Sequence, residues 1–232
     1  MITEANQDLD QVRDYYTAQR STSGEGDSIY AIWEKGGAFN DSVTPSTYVP
    51  EYRSHMALKL LSLTDEGASV FSLGCGNAAV EGVIAGLGRT VRGIDFNEEA
   101  VQLARQKGVD AFAADYYTLR PSDVAGADII YADGFLGHLF DADRETGPAL
   151  DKLAALRPES GAYLVFSNDA PQDREAHFAP HQRVADFWYL SKDYLAECLE
   201  ARGYRGVENY YFPYLRPISG MRNRTICIAR VP

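Results

Sequence analysis

The segment SVFSLGCGNAAVEG, at residues 69–82, decides the fold of this 232-residue chain. Its first five residues form the short apolar run typical of a buried parallel strand, and Gly74-Cys75-Gly76 closes that run. The residues from Asn77 to about Leu87 have the pattern of a helix. Because glycines at a strand-to-helix junction permit a tight turn and let a ligand approach the main chain, the segment predicts a ligand-binding turn.

Strand-like and helix-like segments alternate outward from this turn. Further helices are predicted over residues 51–63, 97–107, 147–157 and 191–203. Further strands are predicted over residues 90–95, 109–114, 127–131, 162–166, 206–214 and 224–230. The alternation indicates an α/β fold, with a parallel sheet covered by helices on both faces and a ligand bound at the carboxyl ends of the strands.

The N-terminal part of the chain reads as a separate layer. Residues 1 to about 20 are predicted to form a polar helix, and residues 21–50 are rich in Gly, Ser, Thr and Asn. That second stretch also holds Tyr30, Trp33 and Tyr48, and polar linkers rarely contain so many aromatic residues. We therefore expect an N-terminal helical cap or lid over residues 1–55 and a core over residues 56–232, within one domain overall.

The composition limits the class of protein. The formal net charge is −11, whereas proteins that bind nucleic acid usually carry a basic face that neutralises phosphates. The three cysteines lie far apart, without a CxxC pair or clustered histidines, so we expect neither a metal site nor a disulfide framework. No apolar run approaches the ~20 residues that span a bilayer, and the first residues do not resemble a signal peptide. We expect a cytoplasmic protein without nucleic-acid or membrane partners, and homo-oligomerisation stays open.

Acidic side chains follow two of the predicted strands. Asp95 ends a strand 19 residues after Gly76, where a carboxylate can accept hydrogen bonds from ribose hydroxyls or can cap the next helix. Asp115 follows the next strand, where it could accept the exocyclic amine of an adenine while Phe96 or Tyr116 covers the ring. The glycine turn and Asp95 fit either a nicotinamide dinucleotide or S-adenosylmethionine. Asp115, the position of the glycine turn behind an aromatic cap, and the lack of a second substrate domain favour the latter.

The motifs VFSLGCGNAAVEG, VRGIDFNEEAV, AADYYTL, ADIIYADGFLGHLF and LRPESGAYLVFS resemble those of class I S-adenosylmethionine-dependent methyltransferases in order and spacing. The resemblance covers about residues 57–168, and the C-terminal RTICIAR segment also fits it. It implies a Rossmann-like, seven-stranded, mostly parallel sheet whose last strand is antiparallel. It also implies S-adenosylmethionine as the cofactor.

The resemblance further implies cofactor-binding roles. Gly74 and Gly76 would pass beneath the methionine part of the cofactor, and the main chain near Asp133 would meet its amino group. Arg53 is a candidate for the cofactor carboxylate, and Ala114 would lie with the adenine-binding residues named above. Asp95 would hold the ribose.

Two positions depart from the pattern of this family. Ser72 stands where Asp or Glu is usual, and Ala78 stands where a third glycine is usual. The first departure removes one contact to the cofactor ammonium group, for which a main-chain carbonyl or Asp133 could substitute.

The segment DGFLGHLF, at residues 133–140, would face the methyl group in this family. It lacks both the Asn/Asp-Pro-Pro-Tyr/Phe tetrapeptide and the Pro-Cys pair of nucleic-acid methyltransferases, which favours a small-molecule acceptor. Gly137-His138-Leu139 resembles a motif of glycine and nucleotide-sugar N-methyltransferases, which also close an N-terminal aromatic segment over the site. The resemblance points to His138 and Tyr16 as catalytic residues. The residues expected on the substrate side are Tyr30, Trp33, Phe135, His177 and His181.

Several interpretations stay open at this stage. His138 suits a general base that takes a proton from the acceptor, but it could also be a structural histidine. His177 and His181 could be solvated loop residues. The favoured function is N-methylation of an amine, such as an amino sugar or a natural-product intermediate of the antibiotic type. The alternatives are O-methylation of a phenol or carboxylate, a non-catalytic S-adenosylmethionine-binding module, and a nicotinamide oxidoreductase.

Overall fold

The computed structural model of the protein describes residues 9–18, 26–39, 44–184 and 186–232. Within these ranges, seven strands form a central sheet and two short strands form a separate hairpin. The strands are β1 (Ser69–Leu73), β2 (Thr90–Asp95), β3 (Asp110–Ala113), β4 (Ile129–Asp133), β5 (Tyr163–Asp169), β6 (Phe178–Pro180), β7 (Trp188–Leu190), β8 (Arg205–Arg216) and β9 (Gly220–Arg230). The helices are α1 (Leu9–Thr17), α2 (Ile29–Glu34), α3 (Pro45–Tyr48), α4 (Pro50–Ser62), α5 (Ala79–Gly86), α6 (Glu98–Gln106), α7 (Pro121–Val124), α8 (Gly147–Ala155) and α9 (Lys192–Glu200).

The order of strands in the central sheet is β3-β2-β1-β4-β5-β9-β8. Strands β1 to β5 pair in parallel, and β9 lies antiparallel to both β5 and β8. The prediction of a Rossmann-like, mostly parallel sheet with an antiparallel last strand is therefore confirmed. Because β1 to β5 are parallel, their carboxyl ends meet along one edge, where the glycine turn after β1 lies near the ends of β2 and β4.

Both faces of the central strands β1, β4 and β5 are buried, which explains why these strands are nearly continuous apolar runs rather than alternating ones. Phe71, Ile130 and Phe166 belong to the core cluster that also contains the apolar residues of α8 and α9. Val70 and Ile129, their neighbours along the same strands, belong to the cluster that contains those of α4, α5 and α6. The two clusters fix the register of the strands and hence the positions of the loops at their carboxyl ends.

The N-terminal helices pack onto the core at α6. Ile29, Tyr30 and Trp33 of α2 form a buried cluster with Ala100, and Tyr16 of α1 packs against it. Helix α1 forms part of the helix expected over residues 1–20, and residues 1–8, 19 and 20 lie outside the described residues. Helix α4 begins at Pro50, so the boundary expected after residue 55 falls inside a continuous helix.

The hairpin of β6 and β7 was not expected from the sequence. Residues 177–181 were interpreted only as a substrate loop, but Phe178, Ala179 and Pro180 pair with Leu190, Tyr189 and Trp188. Strands of three residues are too short to show a periodic pattern. In the described part of the chain, no helix combines the length and apolar character needed to cross a membrane.

Candidate active site

The glycine turn after β1 forms the floor of a cavity at the carboxyl edge of the sheet. Gly74 and Gly76 have φ values of 65° and 52°, in the left-handed region that favours glycine. A Cβ atom on Gly74 would also collide with the ring of Phe135, which lies over the turn. The close approach of backbone and ring therefore requires glycine at this position.

Asp95, at the end of β2, lies beside this turn with only 6% of its surface exposed. Its carboxylate accepts hydrogen bonds from the backbone N–H of Gly76 and of Asn97, each at 2.9 Å. Burial raises the pKa of Asp95 to about 6, although these backbone donors oppose the shift. Asn97, and not Asp95, caps the next helix, so the Asp95 carboxylate orients the turn and lies on the cavity wall.

The segment after β3 provides the next part of the wall. Ala114, Asp115 and Tyr116 line the cavity together with Phe96, which follows Asp95. The carboxylate of Asp115 accepts the N–H of Tyr117 at 2.8 Å, which orients the turn. The hydroxyl of Tyr116 donates to the carbonyl of Ala149 at 2.8 Å, which anchors its ring.

The cavity encloses about 1030 Å³, including the part open to solvent. Most of the site residues expected from the sequence line it: Tyr16, Tyr30, Trp33, Gly74, Gly76, Asp95, Phe96, Ala114, Asp115, Tyr116, Asp133, Phe135 and His138. A glycine cradle, a buried acceptor carboxylate and an aromatic wall fit a nucleoside with an extended chain.

Arg53 and His177 do not line this cavity. The guanidinium of Arg53 donates to the backbone carbonyls of Ser46 and Thr47, at 3.1 and 3.2 Å, and so supports the segment of α3. The ring of His177 lies 6.3 Å from that of Tyr194, beneath the β6–β7 hairpin. The structure therefore does not bring Arg53 to the cofactor-binding residues, nor His177 to the acceptor side.

Tyr16 and His138 form a pair at the mouth of the cavity. The hydroxyl oxygen of Tyr16 lies 2.8 Å from Nε2 of His138, which follows β4 in the 3₁₀ turn Leu136–Leu139. Burial lowers the pKa of His138 to about 4, opposed by the backbone carbonyl of Asp186, and burial raises the pKa of the Tyr16 phenol. Both groups are therefore neutral near pH 7, and the Tyr16 O–H donates to Nε2 in the imidazole tautomer that carries its proton on Nδ1.

A second, smaller cavity of about 450 Å³ adjoins the first one. Tyr16, Trp33 and Asp133 line both cavities, so the Tyr16–His138 pair lies at their junction. His181, expected on the substrate side, lines this second cavity, and its Nδ1 accepts the N–H of Val184 at 3.0 Å.

A network of charged side chains forms the far wall of the second cavity. Arg224 bonds the carboxylates of Asp133 and Asp169, and Arg216 also pairs with Asp169. Although burial alone would raise it, the two guanidiniums hold the pKa of Asp169 well below its usual range. Two carboxylates and two guanidiniums thus balance in charge. Sequence reasoning missed Asp169 and both arginines, because they lie within strand-like runs whose partners come from distant strands.

Over the described ranges, no three His, Cys, Asp or Glu side chains are grouped so that they could hold a metal ion.

Comparisons with known proteins agree with this geometry. A family model described as a methyltransferase domain matches residues 71–155. The tabtoxin biosynthesis enzyme of Pseudomonas amygdali pv. tabaci is 57% identical over 233 residues, which cover 99% of this chain and 92% of that enzyme.

Solved methyltransferase structures share the fold at low sequence identity. Magnesium protoporphyrin IX methyltransferase from Synechocystis PCC 6803, solved with bound S-adenosylhomocysteine, superposes with a TM-score of 0.67 at 17% identity, over 97% of this chain and 100% of that one. The 1,6-didemethyltoxoflavin-N1-methyltransferase of Burkholderia thailandensis gives a TM-score of 0.60 at 21% identity, over 84% of this chain and 93% of that one.

The chain belongs to the S-adenosylmethionine-dependent methyltransferases, in the same family as the tabtoxin biosynthesis enzyme. It is an enzyme whose cofactor is S-adenosylmethionine, so the nicotinamide and non-catalytic interpretations are set aside.

Proposed function

We propose that the protein transfers a methyl group to the nitrogen of a small-molecule amine. The observation that carries this proposal is the neutral Tyr16–His138 pair at the junction of the two cavities. When bound in the larger cavity, S-adenosylmethionine supplies an electrophilic methyl group on a sulfonium centre. The smaller cavity then receives the acceptor, with Trp33 and His181 in its wall, while Tyr30 and Phe135 line the adjoining larger cavity.

The cofactor is held by the residues of the larger cavity. The carboxylate of Asp95 accepts the ribose hydroxyls, which its burial beside the glycine turn favours. Phe96 covers the adenine, whose amine bonds Asp115, with Ala114 and Tyr116 beside it.

Tyr16 positions the acceptor nitrogen. Because His138 receives the proton of the phenol, the Tyr16 oxygen keeps its lone pairs for an N–H of the acceptor amine. That hydrogen bond would direct the lone pair of the amine toward the methyl group, and alignment of this kind can supply ~7–11 kcal/mol of the barrier.

The charges of the smaller cavity favour an uncharged amine. Asp133 and Asp169 are already matched by Arg224 and Arg216, so neither carboxylate is available to stabilise an ammonium ion. An amine must be neutral to attack, and a balanced cavity does not oppose loss of its proton. A hydroxyl acceptor needs a base that removes its proton, and a histidine with a pKa of about 4 is a weak base.

The relatives support a natural-product substrate. One relative is named for tabtoxin biosynthesis, and one structural neighbour is named for methylation at N1 of a didemethyltoxoflavin.

The position of the methyl group tests the proposal. The protein is incubated with S-adenosylmethionine that carries a ¹³C-methyl group, together with the small-molecule fraction of an extract of the producing cells. We expect a new N-methyl signal by ¹H–¹³C correlation, and that signal should survive mild alkali. An alkali-labile methyl ester or a methoxy signal would overturn the assignment to nitrogen. A parallel incubation uses the unfractionated extract, and labelling confined to its protein or nucleic acid would overturn the substrate class.

A further inference from the structure

Ser72, near the end of β1, occupies the position where this family usually has a carboxylate. Its buried hydroxyl donates to Oε1 of Glu81 at 2.7 Å. Glu81 comes from the first turn of α5, directly after the glycine turn, and it lines the cofactor cavity. A carboxylate is thus present beside the strand end, although the strand itself does not supply it.

Glu81 differs from the other buried carboxylates around the two cavities. Asp133 and Asp169 pair with guanidinium groups, and Asp95 accepts several backbone N–H groups. Glu81 has only 4% of its surface exposed, and in the part of the chain that the structure describes no cation pairs with it. Burying an ionised carboxylate without a counter-charge is costly, so such a group in a ligand cavity calls for a cationic ligand.

Lys107 acts on Glu81 through its charge, but it does not form an ion pair with Glu81. The ammonium group of Lys107 bonds Glu34 at 2.5 Å and the carbonyl of Asn77 at 2.6 Å. Burial raises the pKa of Glu81 to about 7, and Asp133 adds to the shift, while the Ser72 hydroxyl, a backbone hydrogen bond and the charge of Lys107 oppose it. A cation placed beside the carboxylate would favour its ionised form.

We propose that Glu81 binds the α-ammonium group of the methionine part of the cofactor, and that Ser72 is the positioning residue that orients its carboxylate. The pair takes the place of the acidic residue that the family usually has at the end of the first strand. Asp133 is not the substitute, because its carboxylate is already bonded to Arg224 and accepts the Tyr52 hydroxyl at 3.1 Å. The inference concerns the cofactor alone and does not depend on the acceptor.

The test is calorimetric titration of the full chain with three ligands. S-adenosylhomocysteine carries the amino group, its deamino analogue replaces that group with hydrogen, and 5′-methylthioadenosine lacks the whole amino acid part. Glu81→Gln should weaken binding of S-adenosylhomocysteine about 10-fold to 100-fold, as expected for loss of a charged hydrogen bond. Binding of the other two ligands should change less than about twofold. The matched control is Glu98→Gln, an exposed glutamate in the first turn of α6, which should change none of the three affinities.

Equal losses for all three ligands would overturn the proposal, since they would assign Glu81 a purely structural role. Unchanged binding of S-adenosylhomocysteine would also overturn it. If Glu81→Gln does not fold, Ser72→Ala provides the second variant, because it keeps the carboxylate and removes only the hydroxyl. A smaller loss confined to the ligand with the amino group is expected, and a loss shared by the deamino analogue contradicts the proposal.

Discussion

At the scale of single residues, the site depends on two side chains, Tyr16 and His138, that are both uncharged near pH 7. His138 has a pKa of about 4, so near pH 7 it is a neutral imidazole that accepts a hydrogen bond from Tyr16. Its role is then to fix the direction of the phenol proton. Tyr16 and His138 should act as one unit, since either one loses its function when the other is removed.

A double-mutant cycle tests that coupling. Tyr16→Phe and His138→Ala should each lower the single-turnover rate by about 10²-fold to 10⁴-fold, and the double variant should be little slower than the worse single one. The chain offers a matched control, because Tyr210 and His55 form a second pair at 2.8 Å outside both cavities. Tyr210→Phe should leave the rate unchanged, whereas additive losses in the double variant would show that Tyr16 and His138 act separately.

Glu81 should make the ligand-free protein less stable as the pH rises. Its pKa is about 7 in the folded chain and near 4.5 in the unfolded chain, because burial disfavours the charged form. Below about pH 4.5 the group is protonated in both states. Between pH 4.5 and 7 the unfolded chain loses the proton first, so folding is progressively penalised. The penalty is complete above pH 7.

Urea unfolding of wild type and Glu81→Gln without ligand measures this effect. The stability of the variant relative to wild type should increase from pH 5 to pH 8, while Glu98→Gln should track wild type throughout. A Glu81→Gln protein that becomes relatively less stable as the pH rises would mean that a counter-charge compensates the buried carboxylate.

At the scale of elements, sequence patterns predicted the strands, turns and helices that depend on residues close together in the chain. The β1 strand, the glycine turn and the helix α6 were all expected, and Asn97 caps that helix by accepting the N–H of Glu99 at 2.9 Å. The roles of Arg216 and Arg224 could not be predicted in this way. Both side chains are positioned by ion pairs with Asp169, which belongs to a strand that is distant in the sequence. The same holds for Glu81, whose position depends on how α5 packs against β1.

One residue that the family pattern indicated, Arg53, lies away from the cofactor-binding residues. Arg53 was expected at the cofactor carboxylate from the motif around it, yet its guanidinium bonds carbonyls at the C-terminal side of α3. A motif specifies where a residue stands along a helix, but the direction of a long side chain depends on the nearest acceptors.

Helices α1 and α2 are expected to act as a lid. They carry Tyr16, Tyr30 and Trp33 over both cavities, and polar contacts fasten them to the core, including Ser28 to Glu99 at 2.5 Å. A ligand beneath them would add contacts and reduce local opening. Hydrogen exchange over α1 and α2 should slow when S-adenosylhomocysteine binds, with α9 as an internal reference that does not change. Identical exchange with and without the ligand would count against a lid.

At the scale of the whole molecule, binding of the acceptor depends on the charges around the cavity more than on the net charge of the chain. The chain carries a formal net charge of −11, but the wall of the acceptor cavity is balanced between Asp133, Asp169, Arg216 and Arg224. An acceptor therefore meets a polar site of little net charge within an acidic protein. That combination suits a neutral amine, and the paired arginines keep the carboxylates from holding it as an ammonium ion.

The most direct measurement of this account is a structure of the complex with S-adenosylhomocysteine and the methylated product or its acceptor. The account predicts that the reacting atom is a nitrogen, within hydrogen-bond distance of the Tyr16 hydroxyl, with the rest of the molecule in the cavity lined by Arg216 and Arg224. An oxygen at that position, or an acceptor that reaches the sulfur without contacting Tyr16, would contradict it.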